Sequence, residues 1–327
     1  MDMQAAVMVR RKKGMDALRG IGITGIVLFH LFPSVFPGGF LGVPLFFILS
    51  GYFMFVTSEA EMTEGEFHIG RYYKKRAVKI LPSLYVMVMA VCAWMTLFRQ
   101  NQMAGIRGEV SSIFLGCENW WKIQQNTSYF SKLSGGSPFT HLWFLAIEIQ
   151  FYLLWPALFL LYKKGCEVVG GKKMCFLFLI LALFSAGRMF FLYTPGGDPS
   201  RVYYGTDTMA FPLLIGMFLG ALRQQFPQLS FSVRQKESAM LIFASFVFIL
   251  CILFVSVDGQ SDFVYQGGLF WISILFAIIT AMVEDQGDVM GDSLERSLIS
   301  WIGRKSYLIY LWHYPVIILI FGAFVIG

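Results

Sequence analysis

At 327 residues, 57% of them hydrophobic and only 14% charged, the chain is far from the composition of a soluble domain and reads as a polytopic membrane protein. Its formal charge of +6 does not point to nucleic acid, because the cations lie in short loops beside apolar spans, where positive charge sets topology. The five cysteines form no CxxC pair and match neither zinc ligation nor a disulfide framework, so no metal is expected.

A helix needs roughly 20 apolar residues to cross the hydrocarbon. Nine stretches meet that length, near 17–36, 39–57, 80–98, 141–162, 174–194, 207–222, 238–257, 264–283 and 306–326. The expected fold is an all-α bundle of about 9–10 transmembrane helices around a central polar cavity. With the N-terminus cytoplasmic, nineteen Lys and Arg fall on that side and five on the other, alternating loop by loop. An odd number of spans then puts the C-terminus outside. The predicted location is the cell membrane, with lipid as an obligate neighbour.

The first span carries Arg19 and His30, eleven residues apart, so they share nearly one helix face about 16 Å apart along the axis. An imidazole inside a span is costly unless it faces protein or water, which makes His30 a candidate functional residue. Ser50 in the second span, Glu148 in the fourth and His313 in the last reach similar depth by residue count. These four are expected to share one polar cavity. Within the fourth span His141, Glu148, Tyr152 and Trp155 recur at i, i+7, i+11 and i+14, a single polar stripe. A histidine with a carboxylate is the minimum for general-base catalysis, and a structural hydrogen-bond network is the alternative reading of the same residues.

The third span is preceded by RYYKKRAVK, whose cations include Lys75, Arg76 and Lys79. Lipid headgroups and topology account for such a patch, and so does a polyphosphate ligand approaching from the cytoplasm with Arg304, Lys305 and Arg19. The long loop 99–140 contains a short helix near 110–121, read as interfacial or re-entrant, and the Ser-Gly-rich turn KLSGGSP. In the sixth span Pro212 is expected to be absorbed by a kink. Arg188, inside the fifth span, must pair or snorkel, with Glu148 or Asp207 as candidate partners, or else bind an anionic acceptor.

Six blocks in order carry a resemblance that runs nearly end to end: DALRG with Arg19 and His30, GFLGVPLFFILSGYF, RAVKILPSLY, HLWFLAIEIQFYLLWP, RVYYGTDTMAFPLLIGMFLGAL and WIGRKSYLIYLWHYPV. The chain resembles the acyltransferase-3 family of integral-membrane O-acyltransferases, which includes bacterial surface-polysaccharide and peptidoglycan O-acetylases. The resemblance implies transfer of an acyl group, usually acetyl, from cytoplasmic acyl-CoA to a hydroxyl of a cell-surface glycan or a lipid-linked sugar precursor. It implies His30 as the base or acyl-handling residue, with Glu148 and Arg19 as its catalytic companions. Ser50, His141, Arg188, Asp207 and His313 would position substrate, and Arg76, Lys79, Lys75 and Arg304 would grip acyl-CoA. Pro44, Phe144, Ile149 and Met209 stand where many members carry polar or charged residues, which bears on the acceptor more than on the chemistry. One transmembrane domain is expected to fill residues 1–327 with no appended extracytoplasmic domain, leaving a separate extracytoplasmic transferase as a possible partner. A multi-pass transporter of a small anionic solute is the alternative, against which no inverted repeat is visible.

Overall fold

The structure is a computed structural model that describes residues 13–100, 105–126, 128–129, 137–230, 233, 235–290 and 292–321. Arg10, Arg11, Lys12, Lys132 and Arg234, counted above for topology, and most of the KLSGGSP turn lie outside the described residues. Helices run in the order α1 (Met15–Leu31), α2 (Gly42–Thr63), α3 (Ile69–Phe98), α4 (Ile106–Phe114), α5 (Glu118–Gln124), α6 (Trp143–Val169), α7 (Gly171–Met174) and α8 (Phe176–Leu192). They continue as α9 (Ser200–Tyr204), α10 (Thr206–Met209), α11 (Phe211–Gln225), α12 (Lys236–Ser256), α13 (Leu269–Met290), α14 (Asp292–Glu295), α15 (Leu298–Arg304) and α16 (Ser306–Val316). No strand occurs among the described residues.

Six segments are long and apolar enough to cross a membrane: 39–63, 69–98, 140–169, 171–192, 236–256 and 264–290. α1, α11 and α16 coincide with the other three predicted spans but are shorter than a full crossing, as are α4 and α5. Two spans differ from expectation. α1 stops at Leu31 instead of reaching residue 36, because Phe32 precedes Pro33 and a residue before proline is driven out of the helical region. The sixth span is broken at Ala210 into α10 and α11, so Pro212 sits in the first turn of α11, where its missing N–H costs nothing.

Close helix approach holds the centre together. α2 lies against α11 with Gly51 beside the Leu213 carbonyl and Gly216 beside the Ile48 carbonyl, so that a Cβ at either would collide with backbone. α15 packs on the start of α1 in the same way, Gly303 against the Asp16 carbonyl. α2 is buried nearly all round, whereas α3, α8 and α12 turn Leu97, Phe184, Phe191, Leu241 and Phe248 outward. Such a continuous exposed apolar surface suits lipid, and the protein is a multi-pass membrane protein.

Candidate active site

The polar residues form two sites at different heights along α1. The first is a cavity of about 300 Å³ between the start of α1, α2, α3, α6 and the α15–α16 corner. Arg19, Arg76, Lys79 and Arg304 line it together with Asp16, Ser50, Glu148, Tyr152, Tyr307 and Tyr310. Four cations face two carboxylates, so the cavity has a positive surplus suited to an anionic ligand. Arg19 is steadied by Asp16 at 3.1 Å, one turn earlier, and by the Phe53 ring 4.8 Å away. Arg76 lies 4.7 Å over the Tyr152 ring. Ser50 donates a hydrogen bond to the Glu148 carboxylate, joining α2 to α6.

The second site is a buried cluster of three of the chain's four histidines. His30, in the last turn of α1, has its ring 5.1 Å from that of His313, which in turn is 5.4 Å from that of His141. Backbone carbonyls set the tautomers, because a carbonyl oxygen can only accept. His30 Nδ1 lies 2.9 Å from Ile26 O, and His313 Nδ1 lies 2.7 Å from Tyr310 O, so each Nδ1 carries the hydrogen in the neutral ring. His313 Nε2, left with a lone pair, sits 3.2 Å from His30 Nδ1. His30 Nε2 therefore also presents a lone pair, and its neighbour is the Tyr129 hydroxyl at 3.3 Å. His141 donates through Nε2 to Leu311 O at 3.2 Å, leaving its buried Nδ1 without a partner among the described residues.

Tyr310 stands between the two sites. It lines the cationic cavity, its hydroxyl donates to His141 O at 2.6 Å, and its ring is 5.2 Å from that of His141. The predicted stripe, which begins in the turn 140–142 and runs on along α6, thus faces three partners in succession: His141 toward α16, Glu148 toward Ser50, and Trp155, which donates to Ser58 Oγ at 2.8 Å.

Over the histidines lies the loop carrying α4 and α5, fastened by buried charge. Lys122 reaches Glu109 at 2.5 Å and Glu118 at 3.5 Å. Burial pushes the Glu118 carboxyl well above its usual range, and the nearby Lys122 ammonium only partly opposes this.

The expected single cavity is therefore divided: Ser50 and Glu148 share the cationic site, while His30 and His313 meet His141 nearer the far end of α1. Residue counting placed His30 near mid-span only because the span was drawn five residues too long. Arg188 pairs with Asp207 at 2.9 Å and not with Glu148, and Arg201 shares the same carboxylate at 3.1 Å. Neither Arg188 nor Asp207 lines the cavity, and the reason is this mutual neutralisation outside it. Lys75 is likewise absent from the lining, being paired with Glu61. Tyr129 and Tyr310 escaped sequence reasoning. Tyr310 falls on the α16 face shared with His313, three residues on, which is a usable signal; Tyr129 lies in an aperiodic loop that offers none.

Against this geometry, comparison with known proteins is specific. The family described as an acyltransferase domain matches residues 12–327. The chain belongs to this acyltransferase family. It is 39% identical over 309 residues to the peptidoglycan O-acetyltransferase OatA of Listeria monocytogenes, a match covering 93% of this chain and 49% of that protein. It is 36% identical over 312 residues to YrhL of Bacillus subtilis, whose name assigns it the same activity provisionally, with 94% and 48% covered. A Staphylococcus aureus protein, provisionally named an O-acetyltransferase, is 32% identical over 322 residues, with 98% and 53% covered. The chain spans about half the length of the curated relatives it matches. No solved structure matches it.

Proposed function

We propose that the chain is an O-acetyltransferase that moves an acetyl group from acyl-CoA, held in the cationic cavity from the cytoplasmic side, to a hydroxyl of a cell-surface glycan or glycan precursor. The single observation that carries this reading is the fixed tautomer of His30. Its Nε2 lone pair is presented inside a buried cluster, on the same helix whose Arg19 lines a cavity with surplus positive charge. Arg19, Arg76, Lys79 and Arg304 would hold the phosphates of the donor, and the long pantetheine arm would run past Tyr310 toward the histidines.

In the transfer, His30 Nε2 takes the proton of the acceptor hydroxyl as the oxygen bonds to the acyl carbon. The C–S bond breaks with its electron pair leaving on sulfur, and the imidazolium returns the proton to the CoA thiolate. His313 and the Ile26 carbonyl hold the ring in orientation throughout. Glu148 offsets part of the positive charge at the donor site when the cavity is empty. The lysine and arginine distribution supports a cytoplasmic N-terminus and an extracytoplasmic C-terminus, which puts the Arg19 end of α1 inside. Names of the relatives make peptidoglycan the first acceptor to try, and a separate extracytoplasmic transferase could complete delivery.

The test is release of free CoA from acetyl-CoA by detergent-purified protein, wild type beside His30→Ala, with thermal stability as the folding control. Turnover or an acyl-protein adduct, lost in the variant, is the expected result. A wild type that neither binds nor turns over the donor, even with membrane glycans added, overturns the reading.

A further inference from the structure

The cationic cavity ends, on the side of the histidines, in a patch of aromatic rings. On α2 Phe46 precedes Ser50 by four residues, and on α6 Phe144 precedes Glu148 by four, about one helical turn in each case. Because Ser50 and Glu148 are joined by their hydrogen bond, the two rings meet one turn closer to the histidines, 6.3 Å apart. Tyr310 of α16 completes the patch, its ring edge-on to Phe144 at 5.4 Å and also against His141 at 5.2 Å. The opposite end of the cavity is polar, with Arg76 over the Tyr152 ring about two turns further along α6 from Phe144.

Phe144 has nowhere to withdraw. Its ring is 4.6 Å from that of Phe47, which is fully buried and lines no part of the cavity. Rings at such centroid separations are in direct contact. On the other flank Tyr310 is pinned by the hydrogen bond from its hydroxyl to His141 O at 2.6 Å. A close-packed interior resists even one added methylene, so the Phe144 ring acts as a fixed wall. With Phe46 and Leu145 beside it, that wall offers no hydrogen-bonding side chain and receives hydrocarbon.

A donor whose phosphates sit among Arg19, Arg76, Lys79 and Arg304 points its thioester end away from them, toward this wall and the passage by Tyr310. We infer that Phe144 sets the acyl length of the donor: an acetyl methyl fits against its ring, and each further methylene has to drive that ring into Phe47 or Tyr310. The inference rests on the acyl-transfer reading and adds to it the residue that selects the group transferred.

The experiment uses the full chain in detergent, wild type beside Phe144→Ala and Phe144→Leu, with melting temperatures as the folding control and Leu as the gentler truncation. CoA release is measured from acetyl-CoA, butyryl-CoA and hexanoyl-CoA. Binding is measured separately by calorimetry with S-ethyl-CoA and S-butyl-CoA, thioethers that cannot transfer a group. Wild type should prefer acetyl-CoA. Phe144→Ala should raise the butyryl-to-acetyl ratio of kcat/KM by about 10–200-fold, the discrimination a hydrophobic pocket exerts per methylene, with Phe144→Leu in between. Where a folded variant turns over no donor, the thioethers decide: a rise in S-butyl over S-ethyl affinity supports the assignment, and an unchanged ratio overturns it. Variants that turn over acetyl-CoA with the wild-type ratio place the wall elsewhere and sink the inference. So does a wild type that takes butyryl-CoA as readily as acetyl-CoA. A wild type that binds neither thioether and releases CoA from no donor defeats the acyl-transfer reading itself, an outcome told apart from the others by the absence of any donor binding.

Discussion

His30 Nδ1 and His313 Nε2 meet at 3.2 Å, joining the last turn of α1 to the last turn of α16 and turning the His30 Nε2 lone pair toward the Tyr129 hydroxyl. Removing the base should cost far more than removing its neighbour. His30→Ala is expected to lower acyl transfer by about 10²–10⁴-fold, the usual contribution of a positioned general base. His313→Ala should lose less, because the Ile26 carbonyl still fixes the His30 tautomer. Single-turnover rates decide the order, and equal losses would move the base to His313.

The Ser50 to Glu148 hydrogen bond should be worth more to stability than an ordinary one, since its acceptor is a buried carboxylate. Ser50→Ala is expected to destabilise by about 1.5–3 kcal/mol, seen as a lowered Tm in detergent. Ser50→Thr keeps the hydroxyl and should recover most of that loss.

Arg19, Arg76 and Lys79 line the cationic cavity, whereas Lys75 is turned to Glu61 outside it. Replacing any one of the first three by Ala should raise the KM for acetyl-CoA, and Lys75→Ala should not. Added salt should weaken donor binding by the wild type, as screening of a partly exposed anion site requires.

Glu118 predicts a pH dependence of opposite sign to that of most carboxylates. Its pKa in the folded chain is raised, mainly by burial, so the stabilising neutral form is fully present below the unfolded value of about 4.3. Stability is then lost as pH rises through the raised folded pKa. Thermal melts of wild type should show that decline, and Glu118→Gln, neutral throughout, should flatten it.

Two glycines separate close packing from simple helix propensity. Gly51→Ala drives a methyl into the Leu213 carbonyl where α2 crosses α11, and should cost about 1–3 kcal/mol. Gly187→Ala, in α8 with nothing near the added carbon, should be neutral or stabilise by about 0.5–1 kcal/mol. Melting temperatures of the two variants in one detergent decide the matter.

By itself the sequence determined the class of the protein, the places of its apolar helices and the helix face shared by Arg19 and His30. Each of these follows from hydropathy or from the 3.6-residue period, which are properties of a chain segment alone. It also brought Glu148, Ser50, Arg76 and Lys79 forward as candidates, and the six motif blocks carried the family. Tertiary structure decided how those groups are divided. Residue counts along separate helices fix depth only to about a turn, so they merged a cationic cavity and a histidine cluster that Tyr310 keeps apart. The pairing of Arg188 with Asp207 and of Lys75 with Glu61 was equally out of reach, because a long side chain chooses its partner by the packing of helices distant in sequence. Tyr129 is the clearest case: an irregular loop gives no periodic signal, and only the tertiary placement of that loop beside α1 brings its hydroxyl to His30.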